Sequence, residues 1–288
     1  MSHHTLQKLV VRLLFDAHFV ARLYDQPEQT LAEFDLTTAE RAQLLAVDRR
    51  AWGYDELRQR RTLRTLVEEF KISTTIILSE TRSLASLERF FASALFHRAV
   101  QERGSLGMAF AEFLLAGQRE GAWTAPQLPD LIRLEATIAS CRRTLAREGE
   151  HQTTELPTTI NDRARVRLAP GFGVGSFQAN TVATIQHVEQ FLFEMSLMPA
   201  MALCDDAPRL SGLPAVESQK KTYLLFSPGA NGITLTEIDK ASYLLLFETK
   251  RPAEIRGLLA RSASGRNARQ PAEILSEWLE HGALMLLD

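Results

Sequence analysis

The last quarter of the chain, residues 221–288, limits the fold more than any other stretch of the sequence. Two short β-type runs, residues 223–226 and 233–236, flank a turn rich in proline and glycine, which is typical of a β-hairpin. Three helix-type segments and a short apolar run, residues 284–287, come next. A hairpin followed by three helices is the element order of a winged-helix domain, so the sequence predicts such a domain at this end of the chain.

The three helices of this region have recognisable start and stop signals. Thr236, with Asp239 three residues later, has the spacing of a capping box and predicts the start of the first helix. Pro252 is expected to open the second helix and Pro271 the third, because proline is tolerated in the first helical turn. Gly282 is expected to end the third helix.

The charge of the third helix helps to decide whether the domain binds DNA or a peptide. It contains Glu273, Glu277 and Glu280 but neither lysine nor arginine, whereas a helix that enters the DNA major groove needs donors for bases and cations for phosphates. Its apolar stripe beside strand 233–236 instead favours a groove to which an extended peptide adds as a strand. The alternative function is a winged-helix DNA-binding regulator, whose basic loop would contain three arginines: Arg261, Arg266 and Arg269.

The hairpin, the three helices and the ending in a glycine and an apolar run resemble the peptide-recognition element of ribosomal-peptide maturation systems, the PqqD-like fold. In that family a leader peptide pairs with the last hairpin strand and packs on the third helix. A proline at Thr234 is therefore expected to impair pairing if the N–H of that residue faces the free edge. The resemblance implies the following peptide-binding residues: Gly232, Ile233, Thr234, Leu235, Thr236, Ile274, Glu277, Trp278 and His281.

The composition is that of an ordinary soluble globular protein. The chain has 288 residues, of which 45% are hydrophobic and 24% are charged, and its formal net charge is -2. This balance gives no electrostatic reason to expect binding to nucleic acid or to an anionic membrane. Cys141 and Cys204 are too few for a disulfide framework, and the first residues have the pattern of an amphipathic helix rather than a signal peptide. We therefore expect a reduced, cytoplasmic setting.

Helical periodicity dominates the first half of the chain and predicts an all-helical N-terminal domain, residues 1–148. Residues 149–162 are polar, contain Pro157 and are expected to form an interdomain linker. Residues 163–288 then form the winged-helix (PqqD-like) peptide-recognition domain, with an insertion at about 170–218. The predicted fold class is α+β, with the helical domain first and the peptide-recognition domain second.

The whole arrangement resembles the partner subunits of multinuclear non-haem iron-dependent oxidative enzymes in peptide natural-product pathways. Within that group it is most similar to the subunit of the 3-thiaglutamate pathway, which is related to the methanobactin partner protein. The resemblance implies a heterodimer with the iron enzyme, in which this chain is not catalytic alone. It would bind a precursor or carrier peptide and present the peptide's cysteine for oxidation. Iron is expected in the partner enzyme, and no cofactor is expected in this chain.

Other candidate sites are weaker. The seven histidines have none of the short spacings to further ligands that build metal sites, so the chain alone is expected to bind no stoichiometric metal. The segment GFGVGSF, residues 171–177, lacks the lysine and the βαβ context of a nucleotide loop, which disfavours a stand-alone enzyme. Its apolar residues Phe172, Val174 and Phe177 are instead expected to form an exposed contact surface for the partner enzyme.

Overall fold

Helices and two small antiparallel sheets make up the fold, which confirms the mixed helix-and-sheet class. A computed structural model describes residues 3–53, 56–149, 163–195, 208–217, 219–230, 232–262 and 270–287. The predicted linker lies outside the described residues from position 150 to position 162. Contacts divide the chain into two compact units, Met1–Leu128 with Val188–Gly212, and Pro129–His187 with Leu213–Asp288.

The first unit contains helices joined by short turns. Their bounds are α1 His3–Phe15, α2 Ala17–Asp25, α3 Pro27–Leu31, α4 Thr38–Ala46, α5 Arg49–Gly53, α6 Glu56–Glu69, α7 Lys71–Thr81, α8 Ala85–Glu88, α9 Ala94–Gln101 and α10 Leu106–Arg119. A 3-10 turn, Arg89–Ala92, joins α8 to α9. Local signals set several boundaries: Thr37 caps α4 and forms a reciprocal capping box with Glu40.

Phenylalanine rings fill the centre of the first unit. The Phe90 ring lies edge-on to the rings of Phe110 and Phe96, with centroid distances of 5.1 Å and 5.4 Å. Such edge-to-face pairs add to the stabilisation that burial provides. Helix α7 is buried although it is rich in threonine, because its hydroxyls are satisfied within the helix. Thr74 Oγ1 donates to the Phe70 carbonyl at 2.8 Å, and Thr75 Oγ1 donates to the Lys71 carbonyl at 2.6 Å.

His97 of α9 should make the first unit sensitive to acid. Both ring nitrogens are buried and have no hydrogen-bond partner among the described residues. Burial, helped by the Arg12 charge and opposed by Asp16, lowers the pKa of His97 below its ordinary value of 6.5. Between pH 6.5 and the lower folded-state pKa, His97 is protonated in the unfolded chain but neutral in the folded chain. The stability that neutral His97 contributes is therefore present above pH 6.5 and is lost as the pH falls through the folded-state pKa.

We expect the melting temperature of the wild type to fall between about pH 7 and about pH 5, and His97→Gln to reduce this fall. The slope against pH is the readout, since the substitution also changes packing. His18→Gln is the matched control because His18 is exposed. If both variants keep the wild-type slope, His97 does not supply the acid sensitivity.

The second unit combines one long helix, two three-stranded sheets and further helices. Their bounds are α11 Leu128–Glu148, β1 Arg165–Leu168, β2 Gly173–Gln178, α12 Thr181–Glu194, β3 Lys221–Gly229, β4 Gly232–Ile238, α13 Lys240–Glu248, β5 Ala253–Glu254, α14 Ile255–Ser262, α15 Pro271–Glu280 and β6 Leu284–Leu287. The division between the two units falls within α12, after His187. The strand orders are β5-β1-β6 and β2-β3-β4, and all pairs are antiparallel. The predicted hairpin is thereby confirmed as β3 and β4.

Strand β3 lies between two apolar layers. Leu224 and Phe226 pack with Leu134 and Cys141 of α11, although the sequence predicts this helix as part of the N-terminal helical domain. Leu225 points to the opposite face and joins the core that α13, α14 and α15 share. Successive side chains of a strand alternate between faces, so one strand can anchor both layers.

The start of α13 differs from the prediction. Thr236 does not cap the helix, because it is paired with Leu225 inside the β4 ladder. Asp239 is the N-cap, and its Oδ1 accepts the N–H groups of Ala241 and Ser242 at 2.8 Å and 3.0 Å. This one carboxylate oxygen satisfies two of the orphan donors of the first turn, and the cap directly follows the end of β4 at Ile238.

The two proline signals have different outcomes. Pro271 occupies the first turn of α15, and Gly282 follows its end with a φ of 70°, so both predictions are confirmed. Pro252 does not open α14, which begins at Ile255. The intervening residues form β5, which pairs with β1, and sheet pairing therefore delays the helix by one short strand.

Candidate functional site

The outer side of β4 is the free edge of its sheet. The sheet order β2-β3-β4 places β4 at one end, paired with β3 alone within the described residues. Such an edge presents backbone N–H and C=O groups that an added strand can use. Which residues present them depends on the register of β4 against β3.

The register shows that alternate residues of β4 face outward. Gly229 is opposite Gly232, and a two-residue connection makes these flanking residues a hydrogen-bonded pair. Hydrogen-bonded and non-hydrogen-bonded pairs then alternate along an antiparallel ladder. Residues of the non-hydrogen-bonded pairs direct their backbone groups away from β3. These outward residues are Ile233, Leu235 and Glu237.

Two further observations support this alternation. Pro228, which has no N–H, lies opposite Ile233, at a pair where no donor toward β4 is needed. On the far side of the sheet, Gln178 ends β2 with an N–H that points outward and donates to Asp130 Oδ2 at 2.6 Å. It follows that Thr234 directs its N–H toward Ser227 and not toward the free edge. A proline at Thr234 is therefore not expected to act on peptide pairing directly.

Asp130 should be important for stability because it covers the opposite edge of this sheet. Its carboxylate is buried, accepts the Gln178 N–H and pairs with Arg133. In Asp130→Ala the Gln178 donor loses its acceptor, and we expect the free energy of unfolding to fall by about 1–3 kcal/mol. Urea unfolding measures the loss. Asp130→Asn retains a carbonyl oxygen and should be less affected; equal stabilities would contradict this role for the hydrogen bond.

Side chains of β4 form two rows. Ile233, Leu235 and Glu237 lie on the face that carries Phe226, and Thr234 and Thr236 lie on the face that carries Leu225. Ile233 is half-buried against the α11 layer, whereas Leu235 is 37% exposed and Glu237 is exposed. The first row therefore offers an apolar contact and a carboxylate two residues apart. Sequence reasoning missed Glu237, although its position in the alternating run could have revealed it.

The third helix, α15, has its predicted apolar residues in the core. Ile274, Leu275 and Trp278 are buried with the side chains of α13, α14 and β6. Glu277 is half-buried and His281 is exposed, with His281 Nδ1 2.7 Å from the Glu277 carbonyl oxygen. The prediction that Ile274 and Trp278 line an open groove is corrected, because the apolar stripe of α15 is buried against α13 and α14.

The predicted contact surface in the glycine-rich segment is also corrected. Val174 and Phe177 are each 2% exposed and Phe172 is half-buried, so they form no exposed patch. Residues 173–177 of the segment belong to strand β2, and the glycines allow close packing. A Cβ at Gly173 would lie 2.7 Å from Cys141 Sγ. Deleting residues 171–175 is therefore expected to unfold the second unit rather than to leave it intact.

No catalytic constellation accompanies the β4 edge in the part of the chain that is described. Burial raises the pKa of Cys141 to about 11, although the Lys250 charge opposes this shift, so its thiol is protonated at neutral pH. Among the described residues no group of three or more His, Cys, Asp and Glu side chains could hold a metal ion.

Comparisons with other proteins leave the site to be judged on its geometry. No protein-family model matches the chain, and no curated protein is detectably similar to it. Within the described residues, every helix is too short or too polar to cross a lipid bilayer.

Proposed function

We propose that this chain is a non-catalytic subunit that binds an extended precursor or carrier peptide along the outer edge of β4. One observation carries the proposal: Ile233, Leu235 and Glu237 direct their backbone donors and acceptors away from the sheet. An extended peptide that pairs there would gain main-chain hydrogen bonds, and neighbouring side chains would supply specificity.

The element order supports a winged-helix, PqqD-like recognition domain. Three strands in the order β2-β3-β4 are followed by α13, α14 and α15, and β4 is an edge strand next to the first helix. The strands β1, β5 and β6 form a second sheet that would be an addition to such a domain. Because the apolar stripe of α15 is buried, the peptide would contact mainly the β4 edge.

The side-chain rows suggest the chemistry of the peptide. A strand that pairs with β4 places alternate side chains beside the row of Leu235 and Glu237. An apolar residue beside Leu235 and a basic residue beside Glu237, two positions apart in the peptide, would complement this row. A peptide with an acidic residue at the second position would be repelled.

The partner in this proposal is an iron-dependent oxidative enzyme that acts on a cysteine of the bound peptide, in a cytoplasmic pathway similar to that of 3-thiaglutamate. This chain would then position the peptide, and the enzyme would hold the iron. The DNA-binding alternative is less well supported, because α15 carries Glu273, Glu277 and Glu280. Two of its candidate basic residues, Arg266 and Arg269, lie outside the described residues.

The proposal is tested with the purified chain and with any iron-dependent oxidase and short precursor peptide that are found to be encoded beside its gene. We expect calorimetry to detect peptide binding by the chain, and co-expression to yield a complex with the enzyme. Metal analysis should find iron in the complex and well below one equivalent in the chain alone. Charge reversal by Glu237→Lys should weaken binding of the peptide. Glu254→Lys, at an exposed position of β5, is the matched control.

Three results would contradict the proposal. The first is a chain that binds no peptide while it is folded by circular dichroism. The second is stoichiometric iron in the isolated chain. The third is specific binding of duplex DNA that persists at physiological salt, which would favour the regulator instead.

A further inference from the structure

Helix α13 is apolar on both of its faces, yet the described residues bury only one of them. Its sequence, KASYLLLFE, contains five consecutive large apolar residues from Tyr243 to Phe247. Leu245 and Leu246 are buried in the core of the second unit, at 1% and 0% exposure. Leu244 and Phe247 point the other way and are 49% and 48% exposed. A helix that is hydrophobic all round is normally covered on all sides, but among the described residues the outer face of α13 is left about half exposed.

The exposed residues of α13 form a continuous surface with β3. Lys240, Tyr243, Leu244 and Phe247 have the spacing of neighbours on one helical face. The Tyr243 ring lies 5.6 Å from the Phe247 ring and 4.9 Å from the ring of Tyr223 on β3. We call Tyr223, Tyr243, Leu244 and Phe247 the α13 patch. A contiguous apolar patch of this kind usually marks an interaction site.

Two lysines flank the α13 patch. Lys250 Nζ lies 4.6 Å from the centroid of the Phe247 ring, and burial lowers the pKa of this lysine, with Cys141 opposing the shift. Lys240 begins the exposed face of α13. Aromatic residues at the centre and charged residues at the rim are the usual anatomy of a protein–protein interface. The positive rim calls for carboxylates on the surface that covers the patch.

We infer that the α13 patch is the docking surface for the catalytic partner subunit, through an apolar protein surface rimmed by Asp and Glu side chains. The inference rests on the proposed function for the identity of the partner. Its position relates to that function directly, because α13 follows β4 after one residue, Asp239. An enzyme docked on α13 would therefore be adjacent to a peptide bound along β4.

The experiment measures the affinity and the association rate of the purified iron enzyme for variants of the full chain. Leu244→Ser and Phe247→Ser remove apolar contacts at exposed positions, and each should weaken the complex by about tenfold or more. Phe193→Ser is the matched control, since Phe193 of α12 is 74% exposed and lies outside the patch. Its affinity should stay within about twofold of the wild type, because scattered exposed hydrophobic residues are common.

Charge-reversal variants test the contribution of the lysines at the edge of the α13 patch separately. Lys240→Glu and Lys250→Glu should slow association by about tenfold at low salt, with a smaller effect at high salt. Lys8→Glu, at an exposed position of α1, should leave association unchanged. Circular dichroism and the melting temperature confirm that each variant is folded.

The outcomes separate the inference from the proposed function. Wild-type affinity in the folded Leu244 and Phe247 variants would overturn the docking surface while leaving the partner in place. A wild-type chain that forms no complex with the enzyme would overturn both. Sedimentation of the chain alone adds a further outcome: a dimer that Phe247→Ser dissociates would assign the patch to a second copy and overturn the inference.

Discussion

Leu235→Pro should abolish most of the peptide binding and leave the second unit folded. The N–H of Leu235 points away from β3, so its loss removes no bond of the ladder, and proline is tolerated at such edge positions. A peptide strand would lose one main-chain hydrogen bond and keep an unpaired acceptor, which costs about 1–3 kcal/mol, or about tenfold to a hundredfold in affinity. Calorimetry with the precursor peptide measures this loss.

The neighbouring position supplies the sharpest control. Thr234 directs its N–H toward Ser227, so Thr234→Pro removes a hydrogen bond of the hairpin and should lower the free energy of unfolding by about 1–3 kcal/mol. Leu235→Ala keeps the backbone donor and isolates the contribution of the side chain. If Leu235→Pro is folded and binds the peptide like Leu235→Ala, the β4 edge is not the binding site.

Phe226→Ala should have the largest effect on stability. The ring is fully buried, lies 6.0 Å from the Phe177 ring and packs with Leu134 and Cys141 of α11. Truncation leaves a cavity between the sheet and α11, and we expect a loss of about 3–5 kcal/mol, a large share of the stability of a typical domain. Urea unfolding at neutral pH gives the free energy.

The comparison for Phe226→Ala is Leu235→Ala, because these two residues are opposite one another on the same face. Leu235 is exposed, so its truncation should cost about 0.5 kcal/mol or less. Peptide binding by Phe226→Ala should recover at a temperature where the variant is folded, since the ring does not reach the outer edge. Similar losses of stability at both positions would contradict the packing described for β3.

Local signals in the sequence were sufficient for the elements around the candidate site. The alternation and the Pro-Gly turn predicted β3 and β4, and Pro271 and Gly282 predicted the two ends of α15. Each of these signals acts within a few residues, through turn geometry or helix termination. These elements can therefore be predicted without knowing which other parts of the chain they pack against. The same local patterns, a hairpin among helical periodicities, were enough to predict the mixed helix-and-sheet class.

Burial and orientation needed the tertiary structure. Apolar residues near glycines, Val174 and Phe177, were expected at the surface, but elements from distant parts of the sequence bury them. Phe177 packs against α11, and Val174 joins the core that α13, α14 and α15 share. In α13 the five apolar residues gave no clue to which of them face outward, because a helix that is apolar all round has no distinctive stripe.

The pairing of β4 with β3 also decided two features that the sequence left open, the start of α13 and the outward residues of β4. Thr236 and Asp239 both suit an N-cap, and pairing with β3 decides between them by extending the strand through Thr236. That pairing also determines that Leu235, rather than Thr234, presents its backbone to a peptide. A shift of one residue would exchange the two, and only contact between the strands establishes the register.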